Sequence, residues 1–351
     1  MFRYLLRKSG YAVIVMWGVV SLVFFLFHVL PADPARLLMG QRTDKASIEN
    51  TRKLLNLDKP LYVRYLYYLN DLSPLSIYQD KDYAKEAGGL TVVGLGKEAS
   101  LYLKFPYLGR SYRSQRSVTA LLTDALPGTI VLAFSAMLLA SVFGVALGIV
   151  AAMKRGTFLD SFITVGSVTG ISVPSFFAGL LLAYFLGYKL HGLTGLNMSG
   201  SLWSYDPFTG RTLSVRNLIL PAIALGVRPL AIIAQLTRSS MLDTLSMDFI
   251  KTARAKGLPE RKVVLKHALP NALNPVITAI TGWLAELLAG SFFIEYIFGW
   301  KGVGKVTVDA LDKFDFPVVM GSVLLSASIF IVVSLATDIL YSVIDPRVKM
   351  A

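Results

Sequence analysis

Residues 11–30, YAVIVMWGVVSLVFFLFHVL, contain no Lys, Arg, Asp or Glu. Twenty helical residues extend about 30 Å, the thickness of a bilayer's hydrocarbon core. Arg3, Arg7 and Lys8 precede the run. It is too long for the apolar core of a cleaved leader, and LPADP follows it instead of a small-x-small cleavage site. It therefore reads as a retained first span.

Further apolar runs occupy 126–153, 161–188, 217–236 (broken by Arg228), 275–298 (containing Glu286 and Glu295) and 318–344 (containing Asp338). Each is long enough for a helix, and none shows the ten-residue alternation of a barrel strand. Only 16% of residues are charged and 54% are hydrophobic, whereas soluble chains carry about 25% charged residues. The net charge of +13 is then better explained by cytosolic Lys and Arg than by nucleic-acid binding. With the N-terminus inside, segments 1–10, 154–160, 237–274 and 345–351 carry fourteen Lys and Arg, against six in the short outer loops 189–216 and 299–317. The expectation is an all-α polytopic membrane protein with six transmembrane helices, both termini in the cytosol. Cysteine is absent, and His28, His191 and His267 lie far apart, so no disulfide, thiolate or histidine metal site is expected.

The boundaries read as an N-terminal segment and first span over 1–30, an extracytoplasmic insertion over 31–125, a five-helix core over 126–344 and a tail over 345–351. Within the insertion, Tyr62, Tyr65, Leu66 and Leu69 follow helical spacing after Pro60. LTVVGLGKEASLYLKF predicts a hairpin, giving the insertion a mixed α/β character. Val118, Leu121, Leu122 and Ala125 form a stripe ending at Pro127, expected to lie along the outer interface. The insertion either packs over the spans or meets a substrate-delivery protein.

Between the fourth and fifth spans lies DFIKTARAKGLPERKVVLKHALPN, with six Lys and Arg in 24 residues. Ser246 is the expected N-cap of a helix carrying Phe249, Ile250 and Ala253 on one face. Gly257 is expected to end it in the left-handed conformation, followed by Leu258. Pro259 opens a second helix with Glu260 in its first turn, and Pro270 is expected to stop it. A basic helix pair drawn to anionic lipid would explain the charge. It would not explain such ordered Gly, Pro and apolar positions, which suit a stiff element fitting a protein groove.

This stretch resembles the EAA loop of permeases of ATP-binding-cassette (ABC) importers: Ala253, Gly257, Leu269 and Pro270 match its spacing. Lys251 and Thr252 replace Glu-Ala, and His267 takes an apolar position, departures similar to those of the peptide and nickel branch. LPADPARLLMG, LDKPLYVRYLYYL, LGRSYRSQRSVTALLTDALPGTI, RGTFLD, SVPSFF, EYIFGWKGVGKVTVDAL and DILYSVIDPRV resemble further elements of that branch, in order. About 35 residues, roughly 73–106, are extra.

The resemblance implies a type I importer permease in the bacterial inner membrane. It would form half of a path completed by a second, similar permease. Two cytosolic ATPases would dock on the loops over 246–271, and an extracytoplasmic binding protein would deliver solute, with peptides or nickel chelates as candidates. The chain has no G-x-x-x-x-G-K-[ST] loop, so ATP and Mg belong to the partners and no cofactor to this chain. The expected docking residues are Phe249, Ile250, Ala253, Arg254, Lys256, Gly257, Leu258, Pro259, Leu269 and Pro270. Phe249 and Ile250 could equally contact the chain's own spans. Arg228, Glu286 and Glu295 are the candidate intramembrane charges. Arg228 and Glu286, placed at equal depth, form either a structural ion pair or part of the path. A membrane enzyme and an ATP-independent carrier are the rival classes, but H-E-x-x-H and any nucleophile–base constellation are absent from the sequence.

Overall fold

The computed structural model describes residues 2–29, 44–54, 57–95, 99–206 and 210–344. The LPADPARLLMG element, the hairpin tip and the tail over 345–351 lie outside the described residues. The helices and strands run α1 (Phe2–Val29), α2 (Lys45–Leu54), α3 (Leu61–Leu72), β1 (Leu75–Tyr78), α4 (Lys81–Glu86), β2 (Leu90–Leu95), β3 (Ala99–Leu103), α5 (Val118–Met153), α6 (Phe158–Ser172) and α7 (Ser175–Leu182). A π-helical turn (Ala183–Lys189) follows, then α8 (His191–Thr194), β4 (Trp203–Asp206), β5 (Gly210–Leu213), α9 (Arg216–Leu245), α10 (Asp248–Ala255) and α11 (Glu260–Lys262). A second π turn (Val263–Ala268) leads into α12 (Leu269–Ala289), α13 (Phe292–Ile297), α14 (Val303–Asp312) and α15 (Phe316–Ile344).

Among the described residues, five helical stretches are long and apolar enough to cross a membrane: Arg7–Phe27, Val118–Met153, Arg216–Leu245, Glu260–Ala289 and Phe316–Ile339. A sixth span exists if α6 and the segment Ser175–Lys189 count as one, bent by 105°. The bend falls at Val173 and Pro174, both extended. Pro174 offers no N–H and pushes the preceding residue out of the helical region.

The chain divides into two compact units. The first comprises Met1–Gly10, Leu126–Lys305 and Ser328–Ala351. Its core gathers Leu132, Ala136, Leu220, Ile233, Ile294 and Trp300. In α5, a Cβ on Gly148 would stand 2.5 Å from Thr237 Cβ, and one on Gly144 2.8 Å from Ile233 Cγ2. These glycines let α5 and α9 approach as only small residues permit. The second unit comprises Tyr11–Ala125 and Val306–Ala327. It holds a three-stranded antiparallel sheet, ordered β1-β3-β2. The expected hairpin is β2–β3, with Thr91 opposite Tyr102 and Val93 opposite Leu101 across a bulge. Strand β1 was not expected. Tyr78, Ala84, Ala87 and Tyr102 form the small core beneath the sheet.

Two expectations are corrected. The stripe over Val118–Ala125 is no separate interfacial helix: α5 runs through Pro127 into the span, with Val118 and Leu122 buried. The fifth span ends at Ala289, not near 298, because Gly290 has φ +150° and the chain restarts at Phe292. The helix expected after Pro60 forms as α3. Tyr62 and Leu66 are exposed on it, and Arg64, Tyr68 and Asp71 line a cavity.

Candidate functional site

The basic stretch folds as α10, a corner, and a second helix. Ser246 is not its N-cap: it closes α9 with φ −82° and ψ −13°, its hydroxyl donating to the Asp243 carbonyl at 2.7 Å. Met247, extended at ψ 151°, opens α10 instead. Gly257 does end the turn, with φ +72°. Its N–H donates to the Arg254 carbonyl at 2.9 Å. Pro259 sits extended at the threshold of α11, its carbonyl accepting from Lys262 N at 2.8 Å and Val263 N at 3.1 Å.

Pro270 does not stop this second helix; it falls in the first turn of α12. A proline ring would clash with the carbonyl four residues back. The wider π turn over Val263–Ala268 places the irregularity just before Pro270, where that clash would arise. The loop therefore joins the fifth span as a single helical stretch from Glu260 to Ala289.

The faces of the loop separate cleanly. Ile250 (0% exposed) and Ala253 pack with Met241, Val263, Val264 and Ala268 in a core of their own. Leu258 and Leu269 lie at its edge. Phe249 is 42% exposed, as are Met247 (48%) and Leu265 (47%). Arg254, Lys256, Gly257, Pro259 and Pro270 are exposed as well. Arg254 crosses the corner to Glu260 with a two-pronged ion pair, Nη2–Oε1 2.7 Å and Nε–Oε2 3.1 Å. A second such pair joins Arg238, two turns before the end of α9, to Asp160 at the start of α6, at 2.6 and 2.8 Å. Sequence reasoning missed Asp160, whose signal was a lone acid in the otherwise basic RGTFLD loop.

The three candidate charges divide into two environments. Glu295 is fully buried. Its carboxylate accepts from Thr129 Oγ1 at 2.8 Å, Ser291 Oγ at 2.9 Å and Lys305 N at 3.2 Å. Gly302 leaves room for it, since a Cβ there would lie 2.3 Å from Glu295 Oε2. Thr129 Oγ1 also accepts from Val303 N at 2.9 Å. Glu295 is thus the centre of a satisfied network tying α5 to the loop after α13.

Arg228 and Glu286 are exposed on this chain and line one cavity of about 150 Å³ with Trp283 and Ser291. They make no ion pair. The Arg228 guanidinium instead lies 5.4 Å from the centre of the Trp283 ring. Glu286 stands in the last turn of α12, because that helix ends earlier than the apolar run. A carboxylate there faces the negative end of the helix dipole, so local helix stability does not account for it. Pro229 leaves the Leu225 carbonyl without its helical donor, and both residues line the same cavity.

Comparison with known proteins agrees with this architecture. Residues 144–350 match the family described as binding-protein-dependent transport system inner membrane component, and residues 1–133 match the corresponding N-terminal family. The di/tripeptide transport system permease protein of Pseudomonas aeruginosa is 35% identical over 99% of both chains. A probable D,D-dipeptide transport system permease of Escherichia coli is 38% identical over 96% of this chain and 94% of its own. A glutathione transport system permease of E. coli is 33% identical over 99% of both. Among solved structures, the MetNI methionine ABC transporter in an inward-facing form superposes with a TM-score of 0.51, covering 65% of this chain and 97% of that one, at 17% identity. The chain belongs to the family of inner membrane components of binding-protein-dependent transport systems, and is a multi-pass permease of an ABC importer.

Proposed function

We propose that this permease forms half of an import path for short peptides, N- and C-termini in the cytosol, with residues 31–125 facing the extracytoplasmic binding protein. A second, similar permease completes the path. Two cytosolic ATPases carry ATP and Mg, and each docks on a loop such as that of residues 246–271. The peptide class rests on the relatives, named for di/tripeptide, D,D-dipeptide and glutathione transport. Exposed Phe249, Lys256, Gly257 and Pro259 offer the docking surface, while Ile250 and Ala253 hold it against the spans. In the path, Arg228 suits a peptide carboxylate, and Glu286 beside the Leu225 carbonyl suits its ammonium.

One observation carries the coupling reading. The Gly257–Pro259 corner leads into one helical stretch, Glu260–Ala289, that becomes the fifth span, so a displacement at the loop is carried into the membrane by a single element. A Cβ at Gly257 meets nothing within 4 Å, so only its φ of +72° constrains the position. Gly257→Asn, which tolerates that conformation, should keep ATPase co-purification. Gly257→Pro, locked near −65°, should abolish it while leaving the chain in the membrane. Stoichiometric ATPase with the Pro variant would overturn the docking role.

A further inference from the structure

The second unit contains a cavity of about 230 Å³, and the proposed path does not use it. Arg64, Tyr68 and Asp71 line it from one face of α3. Phe24, Met320 and Leu324 line it from α1 and α15. Phe24 lies in the last turn of the apolar stretch Arg7–Phe27, and Met320 near the start of Phe316–Ile339. The cavity therefore sits where spans meet headgroups.

Its polar groups are unbalanced. Arg64 is half-buried, and among the described residues it meets no carboxylate and donates no hydrogen bond. Burial disfavours its charge, yet a guanidinium stays protonated in proteins. Among the described residues, the buried Tyr68 hydroxyl has no hydrogen-bond partner. Burial raises its pKa and that of Tyr112 well above the ordinary phenol range, so both remain donors. Arg64 and Tyr68 are one helical turn apart, about 6 Å along the axis. Asp71 does not offset Arg64. Its carboxylate accepts from the Tyr78 hydroxyl at 2.8 Å and the Tyr83 hydroxyl at 3.0 Å. Lys104 donates to its main-chain carbonyl and attracts its charge. The cavity thus holds an uncompensated cation, an orphan donor and an apolar wall.

We propose that this cavity binds the anionic oxygen headgroup of an amphiphile, with carboxylate or phosphate on Arg64 and Tyr68 and the apolar chain along Phe24, Met320 and Leu324. A charge-assisted pair removes the desolvation cost of the guanidinium and satisfies the orphan hydroxyl together. The reading goes beyond the solute path and depends on neither Arg228 nor the coupling loop. An acidic phospholipid and an apolar peptide's carboxylate share this chemistry.

The test uses the assembled transporter in nanodiscs of phosphatidylcholine doped with phosphatidylglycerol. Native mass spectrometry measures retained phosphatidylglycerol, and equilibrium dialysis without binding protein measures radiolabelled alanyl-phenylalanine. Arg64→Gln should lower occupancy by about tenfold or more, and Tyr68→Phe by several-fold. Tyr68→Phe keeps the ring and removes only the hydroxyl, so it guards against misfolding, and assembly is checked by size exclusion. Loss of lipid retention identifies a phospholipid; loss of dialysis binding identifies a peptide carboxylate. If well-assembled variants retain both probes as the unaltered transporter does, or if it retains neither, the proposal fails.

Discussion

At the residue scale, charge was legible and its partners were not. Glu295 stood out as a carboxylate in an apolar run. That Thr129 would reach it from 166 positions away had no local signal. Gly302 likewise reads as an ordinary loop glycine until the carboxylate is seen filling the space of its missing Cβ. Arg228 and Glu286 looked like a pair because both runs were measured from their apolar ends. Gly290 shortens the fifth helix, and the guanidinium takes an aromatic face instead. The consequence is testable. Arg228→Leu and Glu286→Leu should each reduce peptide uptake, and the double variant should recover neither uptake nor stability. A double variant whose stability recovers, measured by thermal unfolding of the purified transporter, would restore the ion-pair reading.

At the element scale, helix ends set by backbone stereochemistry were readable, and those set by packing were not. Gly257 could be placed because its left-handed conformation is a local requirement. Pro270 misled because its effect depends on the π turn before it, which no residue preference announces. Pro127 misled as well, since α5 runs through it. The face of α10 gives a sharp expectation. Ile250→Ala removes a fully buried side chain and should destabilise the loop core by about 2–5 kcal/mol. Phe249→Ala should leave the melting temperature nearly unchanged yet lower the ATPase recovered per permease on co-purification. Equal effects on both readouts would mean that Phe249 packs inward.

At the scale of the whole molecule, five of the six expected spans came through as single long apolar helices among the described residues, because hydrocarbon thickness fixes the length of every apolar run. Their interruptions did not: the 105° bend at Pro174 arises inside a run that reads as one helix. The orientation is argued from charge asymmetry and is open to direct test, since the native chain has no cysteine. Cysteines at Lys81 and Lys256 should label in opposite ways in intact cells, the first reached by an impermeant maleimide and the second protected. Labelling of Lys256→Cys alone would invert the topology.

The stretch from Glu260 to Ala289 is 30 residues long, or about 45 Å of helix. One end carries the basic corner, and the other stops at Gly290. A rod of that length pivoting at its far end would magnify motion: a tilt of about 10° would sweep the corner through roughly 8 Å. Run backwards, a stroke of several ångströms at the corner becomes a slight rotation beside Glu286 and Trp283. In the proposed import path the gearing is therefore a reduction, in which a large displacement at the basic corner is converted into a small, finely graded one beside the Arg228–Glu286 cavity.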